Sequence, residues 1–336
     1  MSIILSADIG GTKTNIALYE STNENLNELK KDTIKSADWA TFDDLNNNFL
    51  HGLPKPESIC LAIAGPIERK NENTIVNVTN LPWIIDSAKL QRQFDTQHVS
   101  IINDFEAIAH SVELLPTKDL VQLQKGELST HGTRAFIGAG TGLGQAIAVH
   151  SGFDYKVIST EGGHCDFAPN NDFEVALYQY FNRNFKHVSY ERILSGEGIT
   201  ALYNFFSHIC QPDENLQKES QIIHDALDKP NAISERAKLD ANSLSARTMD
   251  LFFRIYGAQA GNLALTCLPS GGLYIAGGIA NKNLSLLTHS AFVESFQAKG
   301  RMKKLMEKIP INIIASESAG LIGATYIAKK QIQAHH

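Results

Sequence analysis

Ile3-Ile4-Leu5-Ser6-Ala7-Asp8-Ile9-Gly10-Gly11-Thr12-Lys13-Thr14-Asn15-Ile16-Ala17-Leu18-Tyr19 reads as strand, tight turn, strand. The apolar run Ile3 to Ala7 has strand length, Asp8 to Thr12 breaks it with two glycines, and Asn15 to Tyr19 resumes it. A second stretch follows the same pattern. Ala139-Gly140-Thr141-Gly142-Leu143-Gly144-Gln145-Ala146-Ile147 is preceded by the apolar run Ala135 to Ile137. Residues 9–17 and 139–147 match in register, a faint internal repeat that predicts two similar domains facing each other across a cleft.

Outward from these turns, strand and helix signals alternate. Ser58 to Ala64 and Val99 to Ile102 are apolar runs of strand length. Phe105, Ile108, Ala109, Val112 and Leu115 recur at helical spacing, which predicts a helix over 105–115. Buried strands feeding helices indicate an α/β architecture. The polar stretch Gln211 to Ser245, with Pro212 and Pro230, reads as surface helices and loops, with helical character over Gln221 to Leu227. Arg254 to Leu268 reads as a helix, Leu273 to Ala276 as a buried strand, and Ala319 to Ala328 as a final amphipathic helix.

Composition bounds the function. At 336 residues the chain is expected to form about two domains. With 43% hydrophobic and 20% charged residues it is neither disordered nor fibrous. The net charge is -6 and no Lys/Arg-rich run occurs, so no bulk attraction to nucleic acid or acidic membranes is expected. No apolar run approaches the roughly 18–20 residues of a membrane span. Met1-Ser2-Ile3-Ile4 lacks the basic start of a signal peptide, so none is expected. Cys60, Cys165, Cys210 and Cys267 form no CxxC pair, which argues against a zinc site or disulfide framework and for reduced thiols in a cytosol.

Four constellations can carry chemistry. The two glycine turns allow backbone N–H groups to approach an anion without Cβ interference. Neither fits the Walker spacing, because Lys13 follows Thr12, nor the dinucleotide fingerprint, because position 143 is Leu143. They read as hairpin phosphate cradles or as plain hairpin turns. Asp8 is placed to hold Mg²⁺, usually through water. Asn103-Asp104 follows a buried strand, where open α/β sheets present ligands. Asn103 with Glu106 also fits a capping box, and Asp104 suits a helix start. Glu161-Gly162-Gly163-His164, with Glu191 further on, suits a polyhydroxylated ligand, though solvated loop residues or a metal set are alternatives. Gly277-Gly278 follows a buried strand and serves either close packing or a flat platform beneath a ring.

Taken together, these segments resemble one family, the bacterial glucokinases of the sugar kinase, heat-shock ATPase and actin superfamily. The resemblance rests on Ala7 to Thr12, Ala64-Gly65-Pro66-Ile67, Ile102 to Phe105, Gly138 to Gly144, Glu161 to His164, Tyr190 to Gly196, Gly261-Asn262-Leu263-Ala264-Leu265 and Ile275 to Ile279, in order through nearly the whole chain. Ser21 to Ser58 and Gln211 to Ser245 match poorly. The resemblance implies two duplicated ribonuclease-H-like (actin-like ATPase) domains with mixed sheets around a central cleft. Residues 1–114 plus about 316–336 would form the smaller α/β domain, and about 115–315 the larger.

By the same resemblance, Ala7, Asp8, Ile9, Gly10, Gly11 and Thr12 form the first phosphate loop and Gly140, Thr141 and Gly142 the second, with Gly277 and Gly278 near the adenine. Asn103, Asp104, Glu161, His164 and Glu191 hold glucose, and Asp104 is the base at the 6-hydroxyl. ATP, Mg²⁺ held by Asp8 and a cytoplasmic homodimer are expected. Only Cys165 follows Gly163-His164, so the chain looks like the zinc-free branch. Seven residues precede Asp8, which leaves no room for the DNA-binding segment of related repressors. The alternatives are another hexose kinase of the superfamily, an inactive sugar sensor, and an actin-like ATPase.

Overall fold

The computed structural model describes residues 1–22, 25–65, 67–70, 73–211 and 214–333; Pro66 and Pro212 lie outside them. The chain divides into two compact units. One comprises Met1–Asp119, Val157–Ser159 and Ser316–His336, the other Leu120–Lys156 and Thr160–Ala315.

The first unit contains β1 (Ser2–Ile9), β2 (Lys13–Ser21), β3 (Leu26–Lys35), α1 (Phe42–Phe49), β4 (Ser58–Ile63), a small sheet of β5 (Glu68–Lys70), β6 (Asn73–Asn77) and β7 (Ile84–Asp86), then α2 (Ser87–Phe94), β8 (His98–Asn103) and α3 (Asp104–Ser111). Its main sheet has the order β3-β2-β1-β4-β8. The first three strands pair antiparallel, and β4 and β8 run parallel to β1. β1 alternates as a strand buried on both faces must. Leu5, Ala7 and Ile9 enter one core with Phe49 and Trp83, while Ile4 packs on the other face against Ala324 and Ala328.

The second unit contains β9 (Leu120–Gln124), β10 (Arg134–Ala139), β11 (Leu143–His150), β12 (Tyr155–Thr160, apart from its middle residues Val157–Ser159), α4 (Asp172–Asn182), α5 (Gly196–Ile209), α6 (Glu214–Asp225), α7 (Lys229–Leu239), α8 (Leu244–Cys267) and β13 (Leu273–Ala276). After these come α9 (Gly278–Lys282), α10 (Leu284–Thr288), α11 (Phe292–Gln297), α12 (Lys303–Met306) and β14 (Ile311–Ile314). The sheet order is β12-β11-β10-β13-β14-β9. β10 and β11 form an antiparallel hairpin, and β13 and β14 run parallel to β10. Without the edge strand β9, both main sheets share the order 3-2-1-4-5. The repeat seen in the two glycine turns is therefore a repeat of whole sheets, mixed in both units.

The last helix, α13 (Ala319–Gln333), belongs to the first unit. Its small residues Gly320, Ala324 and Ala328 recur every four positions and face the sheet. Two boundaries differ from the expectation. α3 ends at Ser111 rather than Leu115, because Pro116 disfavours helix at the residue before it and the Ser111 hydroxyl bonds the Ile108 carbonyl. α8 starts at Leu244 rather than Arg254, capped by the Ser243 side chain at Ala246 N–H. Its polar face, with Arg247, Asp250 and Arg254, masks the apolar periodicity of the first turns.

Candidate active site

In the first unit, Asp8 shares the α13 face of β1 with Ile4 and Ser6, by the two-residue period of a strand. Ser6 Oγ lies 2.8 Å from Thr325 Oγ1, and one turn earlier on the helix Gly320 meets the Asp8 carboxylate. A Cβ at Gly320 would sit 2.7 Å from Asp8 Oδ2. The positive end of α13 therefore lies against this carboxylate. Ala7 and Ile9 are fully buried with side chains in the core, so only their backbone atoms can serve a ligand. In the turn, Gly10 N–H donates to Lys13 O at 3.0 Å, and Ser36 braces it through Gly10 O (2.8 Å) and Thr12 O (3.1 Å). Thr12 is exposed at the tip.

Asn103 caps α3. Its Oδ1 accepts the N–H groups of Phe105 (2.9 Å) and Glu106 (3.4 Å). Asp104 is the first helical residue and its Oδ1 also accepts from Phe105 N–H at 2.9 Å. The two readings of this pair thus coexist, since capping turns the Asn103 oxygen inward and Asp104 occupies the helix N-terminus. Asp8 and Asp104 both stand at the carboxyl edge of the parallel strands, and the two charges oppose each other. Burial and then the Asp104 charge push Asp8 up to about 6, against a hydrogen bond from Asn15 and the charge of Lys13. Burial also raises the Asp104 carboxyl, against hydrogen bonds from Phe105 N–H, its own N–H and Asn103.

In the second unit, the glycine turn and the acid–imidazole set form one assembly. Glu191 Oε2 accepts the N–H of Leu143, the residue after Gly142, at 2.9 Å. Its other oxygen lies 3.7 Å from His164 Nε2, which is 3.9 Å from Glu161 Oε2. Glu161 and His164 are exposed and Glu191 is partly covered. Gly162 and Gly163 are explained by packing, because a Cβ on either would overlap Gln145 Oε1 or the Leu143 carbonyl of β11. That contact, with Glu191 N–H donating to Gly163 O at 2.9 Å, sets His164 beside Glu191. Gly140 O accepts Gly196 N–H at the start of α5 (2.9 Å), Gly140 has open space at its Cβ, and Thr141 is exposed.

The two glycines after β13 differ. Gly277 has φ +90° and a Cβ there would overlap the Ala139 carbonyl, so it is required by backbone and packing. Gly278 has nothing within 4 Å of a Cβ and presents open backbone. Among the described residues, no three His, Cys, Asp or Glu are grouped to hold a metal, and no helix is long and apolar enough to cross a membrane. Sequence reading missed Gly320 and the Leu143 amide. A glycine within the helical run Ala319 to Ala328 is the signal for the first; the second carries none, because any backbone amide can serve.

Two sheets of one order, each with a glycine hairpin at its centre and polar groups gathered at it, define an actin-like ATPase fold of the sugar-kinase kind. Solved structures share it. A glucokinase from an Antarctic psychrotroph superposes with TM-score 0.85 at 30% identity, over 98% of this chain and 99% of the other. A ROK family glucokinase from Streptomyces griseus, in complex with glucose and AMPPNP, shares the fold with TM-score 0.64 at 18% identity, over 98% and 99%. The glucokinase of Trichormus variabilis is 39% identical over 98% of this chain and 100% of its own, and that of Synechocystis 36% over 96% and 97%. A sequence profile for the family described as Glucokinase matches residues 5–331. The chain belongs to the glucokinase family.

Proposed function

We propose that the protein transfers the γ-phosphoryl group of ATP to the 6-hydroxyl of glucose, giving glucose 6-phosphate and ADP, with Asp104 as general base. The observation that carries this reading is the pair Asp8 and Asp104, two partly buried carboxylates at the carboxyl edge of one sheet, where burial raises the proton affinity of both and the Asp104 charge adds to that of Asp8. A base with a raised pKa accepts a hydroxyl proton more readily near neutral pH. Asp104 orients the 6-hydroxyl and takes its proton as the oxygen–phosphorus bond forms and ADP leaves. In phosphoryl transfer, positioning and charge neutralisation supply most of the acceleration.

Asn103, Glu161, His164 and Glu191 join Asp104 in holding the sugar hydroxyls. Their carboxylates accept, and the Asn103 amide and His164 imidazole add donors. Ala7, Asp8, Ile9, Gly10, Gly11 and Thr12, with Gly140, Thr141 and Gly142, hold the phosphates largely through backbone N–H groups. Gly278, open at its Cβ, supports the adenine, and Gly277 sets the path of the backbone beneath it.

The donor set at Asp8 fits Mg²⁺, which keeps most of its waters and takes one or two carboxylates plus phosphate oxygens rather than a full protein cage. A carboxylate raised by burial and by a neighbouring acid gains most from such a cation. Bound there, Mg²⁺ would neutralise phosphate charge. We also read the protein as a cytoplasmic homodimer of glycolysis, on family resemblance; sedimentation velocity checks the dimer.

The decisive experiment is Asp104→Asn. Asp104 is the first helical residue and not the cap, and Asn keeps its shape and an oxygen to accept from Phe105 N–H, so stability should not fall. Turnover should fall by about 10²–10⁴-fold, the scale of a positioned general base. The loss should appear in kcat more than in glucose affinity. Steady-state kinetics, calorimetric glucose binding and a thermal melt measure all three. Wild-type turnover would remove Asp104 from the chemistry.

A further inference from the structure

The motif Gly261-Asn262 on α8 has no part in the reading above. Gly257 and Gly261 lie one turn apart on one helix face. A Cβ at Gly257 would overlap the Phe292 carbonyl, and one at Gly261 would sit 2.7 Å from Phe296 O and 2.5 Å from Lys299 Cε. The two glycines thus let α11 and the residues after it close onto α8. Lys299 uses the slot, its Nζ donating to Ala258 O at 2.9 Å and to Asn262 Oδ1 at 2.7 Å.

An ammonium only donates, so Lys299 fixes the orientation of the Asn262 amide. Oδ1 faces the lysine, and Nδ2 donates to Gln259 Oε1 (3.1 Å) and to the Tyr190 hydroxyl (3.0 Å). The Tyr190 oxygen also meets the Ala168 backbone. The Tyr190 ring is buried, edge-on to Phe167 with centroids 5.6 Å apart. Its N–H donates to Cys165 O at 3.0 Å, and the next N–H, of Glu191, donates to Gly163 O at 2.9 Å. Tyr190 therefore anchors the backbone stitches on either side of His164.

We infer that Lys299, Asn262 and Tyr190 form a positioning relay that holds Glu191 and His164 in register for the sugar. The inference rests on the sugar-binding reading of those two residues. The relay has one donor–acceptor pattern from end to end, so it specifies a single placement of the Tyr190 ring. Burial weakens the hold of Lys299 on its proton, which makes its two acceptors matter more.

Tyr190→Phe removes one oxygen and keeps the ring; Lys299→Met removes the ammonium that orients Asn262. Two measurements test the relay: amide exchange in sugar-free protein and calorimetric glucose binding. Each variant should speed exchange at Tyr190 and Glu191 while amides of β10 and β13 keep wild-type rates. Each should weaken glucose binding by about three- to tenfold, the scale of one lost hydrogen bond, with kcat nearly unchanged. The double variant should lose less than the product of the two, because both cut one chain. If Lys299→Met lowers the melting temperature sharply, Tyr190→Phe carries the test alone. Wild-type exchange and glucose affinity in Tyr190→Phe, or losses that simply multiply, would overturn the relay. Failure of the unaltered protein to bind glucose would instead sink the sugar reading, with the exchange rates still deciding whether the relay holds Glu191.

Discussion

The Asp8 carboxylate costs the folded protein stability that its place in the site requires. Its pKa rises from 3.8 to about 6, so the folded state holds this proton more tightly than the unfolded chain. The contribution of Asp8 to stability is therefore most favourable below about pH 4, falls as pH rises towards 6, and stays reduced above it. Asp8→Asn removes the charge and should stabilise the free protein by up to about 3 kcal/mol near pH 7, because each tenfold change in proton affinity is worth about 1.4 kcal/mol. The gain should vanish towards pH 4. Urea unfolding across pH 4–8 measures it, and a gain independent of pH would mean that the charge is not its source. The same variant should lose phosphoryl transfer, because the nucleotide end would lose its carboxylate.

At the scale of elements, the β10–β11 turn and the 161–164 and 189–191 segments behave as one piece because Glu191 bonds the turn directly. One oxygen faces His164 and the other holds the Leu143 amide. Gly142 makes room for that carboxylate, since a Cβ there would lie 2.5 Å from Glu191 Oε2. Gly142→Ala should displace it and weaken glucose and ATP binding together, by roughly 10- to 100-fold for a lost hydrogen bond to a charged group. Gly140→Ala, two residues earlier, meets open space and should leave glucose affinity unchanged. Titration calorimetry on both variants makes the comparison. An effect of Gly142→Ala on ATP alone would separate the turn from the sugar set.

At the scale of the molecule, the residues proposed to hold the sugar are Asn103 and Asp104 of the first unit and Glu161, His164 and Glu191 of the second. Glucose should therefore slow hydrogen exchange at Asn103 to Phe105 and also at Gly163 to Glu191. Mass-spectrometric exchange with and without the sugar reads both segments in one experiment. Slowing confined to one unit would remove the other unit's residues from the sugar set.

Much of this was legible in the chain because its signals are local. Glycine turns between apolar runs marked both hairpins, and Asn103 announced a cap through its place before a helical run. The repeated hairpin also foretold a duplicated architecture, since one strand–turn–strand pattern tends to one local pairing wherever it occurs. Other features escaped for a common reason. The start of α8 was hidden by a polar face that only its burial partners reveal, and the small β5–β6–β7 sheet has strands too short for periodicity to register. The packing of Gly162 and Gly163 on β11, of Gly320 on Asp8 and of Gly261 on Lys299 depends on surfaces that are distant in sequence. A glycine in a helical run says that something comes close, but the partner is chosen by the packing of the sheets and helices. The Leu143 amide that meets Glu191 had no signal at all, because every backbone carries the same donor and only the folded chain selects which one a carboxylate meets.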